Sequence, residues 1–306
     1  MTTNKQLLNM EGIVTVLNTP FTALDTIDTD AVRANVNLAI RAGVAGFLVP
    51  AMASEVGKLS GEERKLLVQT VVEETKGRVP VIGGGSAPTS EERVYTVTGL
   101  IELGCDGVLV SIPYENDEQY EREVWSIAEL KPPFLMLQDW DFGGYGIPLP
   151  LICKLFREVD VFRSIKIEVV PAGTKYSEVL AATEGRLHVA GGWAVSQMID
   201  GLDRGVHAFM PTGMHDIYTC IYSLYKQGER DRAVRLFHDL LPVLAFANQH
   251  LDISIHFFKR LLFAQGIYST PHVREPILPF DKYHERSTEE LIALVQRLSK
   301  EISGLL

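Results

Sequence analysis

Between Gly12 and Met210 the chain repeats one pattern: a short apolar run, then a stretch with helical periodicity. The runs are Gly12–Asn18, Gly46–Pro50, Val79–Gly83, Gly107–Ser111, Phe134–Gln138, Phe162–Glu168, Leu187–Gly191 and Ala208–Met210. They are continuously apolar rather than alternating, which marks strands covered by helices on a parallel sheet. Eight such units predict a (β/α)8 TIM barrel. The layout also repeats internally. Gly43-Val44-Ala45-Gly46-Phe47-Leu48-Val49, Gly104-Cys105-Asp106-Gly107-Val108-Leu109-Val110 and Gly205-Val206-His207-Ala208-Phe209-Met210 each read as a helix end, a glycine C-cap and a strand. A doubly wound open sheet is the competing architecture.

The intervening segments carry helix signals. Asp30 is expected to cap a helix to Ala42, with Val32, Val36 and Ile40 on one face. Ser60 with Glu63, and Thr89 with Glu92, form capping boxes for the next two. Further helices are expected over Glu118–Leu130, Pro148–Val159, Lys175–Glu184, Ser196–Arg204 and His215–Lys226, with a turn at Pro171-Ala172-Gly173 and a loop rich in aromatics and glycine over Asp139–Gly146. After Lys226 the pattern turns wholly helical: Glu229–Leu244, Ala245–Gln265 and Ser287–Ile302, punctuated by Pro242 and Gly266. The domain reading is a catalytic barrel over residues 1–226 and a C-terminal helical extension over 227–306.

Composition narrows the partners. A net charge of −10 argues against nucleic acid and against an anionic membrane surface. Met1–Met10 has no apolar signal core, and no apolar run is long enough to span a bilayer. Cys105, Cys153 and Cys220 are far apart, without metal-site spacing, as expected of a cytoplasmic protein.

In such a barrel, function collects at the C-terminal ends of the strands. Those ends carry Thr19 and Phe21; Ala51-Met52-Ala53-Ser54-Glu55; Gly83-Gly84-Gly85-Ser86; Ser111 and Tyr114; Gln138, Asp139 and Trp140; Lys166 and Glu168; Gly191, Gly192 and Trp193; and Pro211-Thr212-Gly213. Lys166 stands out because a cation in an apolar strand is costly to bury. It is expected to lie at an opening or to have a lowered pKa, which would make it a nucleophilic amine. Strand alternation puts Ser164, Lys166 and Glu168 on one face. An amine beside a carboxylate suits imine chemistry with proton transfer; a buried structural ion pair is the plain alternative. No convergent set of His, Asp and Glu appears, so no metal is expected. Gly83-Gly84-Gly85-Ser86 lacks the ending of a phosphate-binding P-loop, and His215, His250 and His256 read as surface or core residues. Trp140, Phe142 and Tyr145 suit either a lid or a packed interface.

The chain resembles the dihydrodipicolinate synthase / N-acetylneuraminate lyase family of Schiff-base lyases from Gly12 to about Ile302. Four stretches carry the resemblance: Gly12–Phe21; Ala51–Glu55 through Leu59–Arg64; Ser164-Ile165-Lys166; and Val273-Arg274-Glu275-Pro276 downstream of Lys259 and Gly266. It implies that Lys166 forms an imine with a 2-oxo acid, with no cofactor because the imine is the electron sink. The substrate carboxylate is then expected to rest on backbone amides near Ala53 and Ser54, with the Ser54 hydroxyl helping, and Gly191, a small residue at a strand end, is expected to let a ligand approach closely. The resemblance also implies a homotetramer or homodimer. Tyr114 is the nearest match to a tyrosine that reaches a neighbouring subunit's site.

The departures redirect the chemistry. Met52 and Ala53 replace the family's paired threonines, and Ser54 replaces a glycine. Gln138 replaces the tyrosine that relays protons, and no arginine lies between Gln138 and Arg157. Both absences point away from dihydrodipicolinate synthesis, and the missing tyrosine away from neuraminate cleavage. Glu168 is then the best proton carrier, while Gln138 can orient a water or hydroxyl. The expected reaction is dehydration of a 2-keto-3-deoxy sugar acid such as a deoxypentonate. Pyruvate-dependent aldol chemistry in the same family, and a non-catalytic protein that binds a small acid, are the alternatives.

Overall fold

The computed structural model describes residues 10–192 and 195–303. Trp193, expected at the end of a strand, and the stretch before Met10 lie outside the described residues. Eight parallel strands close into a barrel in chain order. They are β1 (Gly12–Val16), β2 (Gly46–Val49), β3 (Val81–Gly84), β4 (Gly107–Ser111), β5 (Leu135–Asp141), β6 (Phe162–Val169), β7 (His188–Gly191) and β8 (Ala208–Phe209). The helices between them are α1 (Thr29–Arg41), α2 (Gly61–Thr75), α3 (Ser90–Glu102), α4 (Asp117–Ala128), α5 (Leu149–Glu158), α6 (Ala172–Ala182) and α7 (Met198–Asp203). After β8 come α8 (His215–Lys226), α9 (Arg230–Ala247), α10 (Leu251–Ala264) and α11 (Lys282–Ser303). The predicted TIM barrel with C-terminal helices is what the chain forms.

Helix starts follow local chemistry. Ser60–Glu63 and Thr89–Glu92 make the reciprocal capping boxes read from their spacing. The first helix corrects the expectation: Asp28, not Asp30, is the cap, accepting from the Ala31 amide at 3.0 Å. Asp30 instead lies in the first turn, where its charge suits the helix dipole. Pro171 is the N-cap of α6 rather than part of a separate turn, so that helix starts before Lys175. Pro242 lies inside α9, and the break before α10 falls at Asn248–His250, where the His250 ring accepts from the Asp252 amide.

The fold comprises two compact units by contact. One is Pro80–Met210 with Met10 and Glu11; the other is Gly12–Val79 with the chain from Pro211 onward. In the first, Ser164 and Lys166 of β6 lie level with His188 and Ala190 of β7. The Ser164 hydroxyl meets His188 Nδ1 at 2.7 Å, and His188 Nε2 meets the Met10 carbonyl at 2.6 Å. Burial pulls the His188 imidazole down to about 4, so at neutral pH it is an uncharged polar plug. In the second unit, His215 bridges Thr15 and Asn35 at 3.1 Å each, and Asn35 donates to the Tyr268 hydroxyl. That chain ties α8 and α1 to β1.

Candidate active site

The departure that matters most is at β5. The sequence Gln138-Asp139-Trp140-Asp141 reads as a strand end running into a loop, yet it continues the strand and pairs with Lys166–Val169 of β6. Polar residues persist there because alternation sends them to opposite faces. Gln138 and Trp140 share the face of Lys166 and Glu168, with Gln138 level with Lys166 and Trp140 level with Glu168. Asp139 leaves on the other face and meets Lys175 of α6 at 2.7 Å, both side chains almost fully buried. Burial pushes the Asp139 carboxyl upward and the Lys175 ammonium opposes that push.

On the first face, Lys166 and Glu168 are 6% and 7% exposed, so Lys166 lies in the interior rather than at an open mouth. Lys166 Nζ is 3.2 Å from Glu168 Oε1. The Gln138 amide donates to Glu168 Oε2. Both carboxylate oxygens are therefore held, one by the cation and one by a neutral donor. Gln138 orients the carboxylate itself, where the sequence suggested a water or hydroxyl. A Cβ at residue 192 would fall on the Glu168 carboxylate, so this position has room for glycine alone. Gly191 is buried at the end of β7, where a Cβ would come within 2.9 Å of the Tyr176 hydroxyl. Tyr114 is not part of this group: its ring is 42% exposed and its hydroxyl donates to Asp117 at 2.8 Å.

The loop after β5 is tied down at several points. Asp141 accepts from the amides of Gly143 at 2.9 Å and Gly146 at 3.1 Å. Asp139 accepts from the Ile147 amide at 2.8 Å, and Lys175 donates to the Ile147 carbonyl at 2.6 Å and to the Tyr145 carbonyl. The Tyr145 hydroxyl donates to Glu178 at 2.7 Å. At β3, the Gly85 amide bonds the Leu109 carbonyl and the Ser86 hydroxyl accepts from Ser111, so that turn is stitched to β4.

In the other unit, Ala53 and Ser54 lie in a short 3-10 turn, Met52–Ser54. The Ser54 hydroxyl donates to the Leu17 carbonyl at 2.5 Å and accepts from the Ala51 amide at 3.0 Å, while the Ser54 amide bonds the Ala51 carbonyl. The expectation that this hydroxyl helps a substrate carboxylate gives way, because its proton is already committed. Asn18 and Thr19 donate to the Ala53 and Ser54 carbonyls, each at 2.7 Å. Glu55, next in the chain, is fully buried at the side chain and left-handed at φ 57°. Its carboxylate binds the buried Lys259 ammonium, Lys58 at 3.2 Å and the Arg274 amide at 3.0 Å. Lys259 also donates to the His272 carbonyl at 2.8 Å. Phe21 offers its ring to Lys259 and to Arg274, each 4.2 Å from the centroid. Arg274 in turn grips Glu63 at 2.6 and 3.0 Å and holds its carboxyl down to about 2.

The sequence placed Gly192 at a strand end but did not reveal that it makes room for Glu168, and it did not reveal Lys175 or the Glu55–Lys259 pair. Lys175 and Lys259 lay in apolar-faced helices, the signal that singled out Lys166 in a strand, but nothing local named their partners.

The chain matches the model of the dihydrodipicolinate synthetase family over residues 9–295. It is 24% identical to an L-2-keto-3-deoxyarabonate dehydratase of Azospirillum brasilense, across 94% of each chain. It is also 24% identical to a 4-hydroxy-tetrahydrodipicolinate synthase of Methanosphaerula palustris, across 94% of this chain and 98% of that one. Its fold is similar to that of the 4-hydroxy-tetrahydrodipicolinate synthase of Methylacidiphilum fumariolicum, with a TM-score of 0.86 at 19% identity, covering 97% and 99% of the two chains. Barrel, C-terminal helices and family match agree, and the chain belongs to the dihydrodipicolinate synthetase family of lyases.

Proposed function

We propose that this protein is a Schiff-base-forming lyase that dehydrates a 2-keto-3-deoxy sugar acid. The observation that carries it is Glu168, held 3.2 Å from the Lys166 amine on one side and by Gln138 on the other. A relative of the dehydratase class, matched along nearly the whole chain, supports the same reading.

The ammonium of Lys166 first passes a proton to Glu168. The free amine then attacks the C2 ketone, and the proton returns from Glu168 to the carbinolamine oxygen, which leaves as water. The resulting iminium draws electrons from C3. Glu168, again a carboxylate, takes the C3 proton, and the C3–H electron pair forms the enamine. That pair then expels the C4 hydroxyl, which collects the same proton from Glu168 and departs as a second water. Hydrolysis of the conjugated imine consumes one water and frees Lys166. The net change is loss of one water from the substrate. Gln138 keeps the carboxylate in line through both transfers and does not itself titrate.

Incubation with 2-keto-3-deoxypentonate followed by borohydride is expected to leave a reduced adduct on Lys166. The unreduced reaction is expected to release a dehydrated 2-oxo acid. Release of pyruvate would move the protein to the aldolases. Absence of any adduct with pyruvate or the pentonate, in folded protein, would leave a small-acid-binding protein. We further propose a homodimer or homotetramer, with Tyr114 as a partner contact. Sedimentation velocity is expected to give a multiple of the 34.0 kDa chain, and a monomer at micromolar concentration would overturn that assembly.

A further inference from the structure

We infer that Trp140 is the residue that selects the substrate's far end, taking an uncharged hydroxylated tail and disfavouring a charged one. This inference rests on the lyase reading above. Trp140 is level with Glu168 across the β5–β6 ladder and shares its face with Gln138. Along that face Gln138 lies beside Lys166, and Trp140 is the next residue outward. A substrate whose C2 sits on Lys166 and whose C4 hydroxyl sits at Glu168 therefore sends its remaining carbons toward the indole.

The ring is built as a fixed wall. It is 49% exposed and packs edge-on against Phe142, centroids 5.6 Å apart and planes at 74°. The backbone beneath it is strand, paired through Asp141 with Val169. Behind it, the buried Asp139–Lys175 pair and the two amides caught by Asp141 fix the loop that carries Phe142. A mobile lid has no comparable set of ties. An indole face and a phenyl edge offer apolar area and one N–H donor at most, with nothing to neutralise an anion. The CH faces of a polyol tail suit such a wall, whereas a terminal carboxylate or phosphate would lose hydration against it without gaining a partner. Apolar complementarity of a methylene or two is worth about 10–200-fold in kcat/KM.

The test compares borohydride trapping of two ligands, pyruvate, which has no tail, and 2-keto-3-deoxypentonate, which does. In Trp140→Ala the pentonate-to-pyruvate ratio of trapping rates is expected to fall about tenfold. Trp140→Phe keeps an aromatic face and is expected to hold the ratio within about threefold of the parent. An unchanged ratio in Trp140→Ala would overturn the inference, as would equal losses for Phe and Ala. An unchanged ratio with a smaller sedimenting species would assign the ring to a subunit contact. Failure of the unsubstituted protein to trap either ligand would remove the lyase reading and this inference with it. That failure is distinguishable because it precedes any substitution.

Discussion

Lys166→Arg is expected to abolish adduct formation and to lower turnover on the order of 10⁴-fold or more. The substitution separates the two readings of the buried pair. Arginine keeps a positive charge beside Glu168 and can still donate to its carboxylate. If Lys166 served structure alone, an arginine at that position would preserve most of the protein's behaviour. A guanidinium, however, stays protonated at any working pH and has no amine lone pair to offer a ketone. The protein should therefore unfold at nearly the same temperature and fail to be labelled by borohydride with any 2-oxo acid. Mass spectrometry of the peptide carrying residue 166, alongside a melting curve, checks both halves. Adduct elsewhere in the chain, or turnover within tenfold of the parent, would overturn the assignment. Lys166→Ala is the harsher variant, because it also leaves the Glu168 carboxylate without its cation.

Glu55→Gln is expected to destabilise the protein by about 3–5 kcal/mol at neutral pH, the usual loss when one partner of a buried ion pair is removed. The side chain keeps its size, but Lys259, fully buried, loses its counter-charge. Burial already draws the Lys259 ammonium down to about 8 from 10.5, with Glu55 pulling the other way. The sign follows from proton counts. Between about pH 8 and 10.5 the unfolded chain holds more of the lysine proton than the folded one, so stability from this group rises with pH across that window. The neutral amine needs no carboxylate, so the deficit of Glu55→Gln should narrow as pH rises to about 8, where the parent's lysine also gives up its proton, and stay small above that. Urea melts at pH 7 and pH 9.5 measure the difference. Combining Glu55→Leu with Lys259→Met should recover most of the loss, since an apolar pair of similar volume carries no buried charge. A deficit that stays constant with pH would show that packing, not the ion pair, is what the substitution disturbs.

What could be read from the chain alone depended on the range of the interaction. Capping boxes at Ser60 and Thr89 span three residues and were legible, as was the shared face of Lys166 and Glu168, which follows from alternation two residues apart. The eight strands were legible because each is a continuous apolar run. The extension of β5 was not, because Asp139 and Asp141 resemble loop residues until Lys175 and the amides of the following loop account for them. The cap of α1 was misplaced by two residues because Asp28 and Asp30 offer the same carboxylate, and backbone geometry decides between them. Pro242 reads as punctuation near a helix end at Leu244, yet α9 runs past it to Ala247. The Glu55 carboxylate resembled the glutamate of a family motif, but its partners, Lys259 and the backbone of Arg274, are supplied from the far end of the chain.

That distance bears on how the protein emerges from the ribosome. Lys58, beside Glu55, bonds a carbonyl 216 residues further on. At about 5–20 residues per second, synthesis separates the two ends of that bond by roughly 10–40 s. During this interval the turn carrying Ala53 and Ser54 lacks Lys259 and Arg274, whereas Lys166, Glu168 and Gln138 have all been translated well before those partners. A nascent chain stalled before Lys259 would therefore hold all three residues of the proposed imine site while Glu55 still awaits its counter-charge, and protease sensitivity around Glu55 would report the moment of completion.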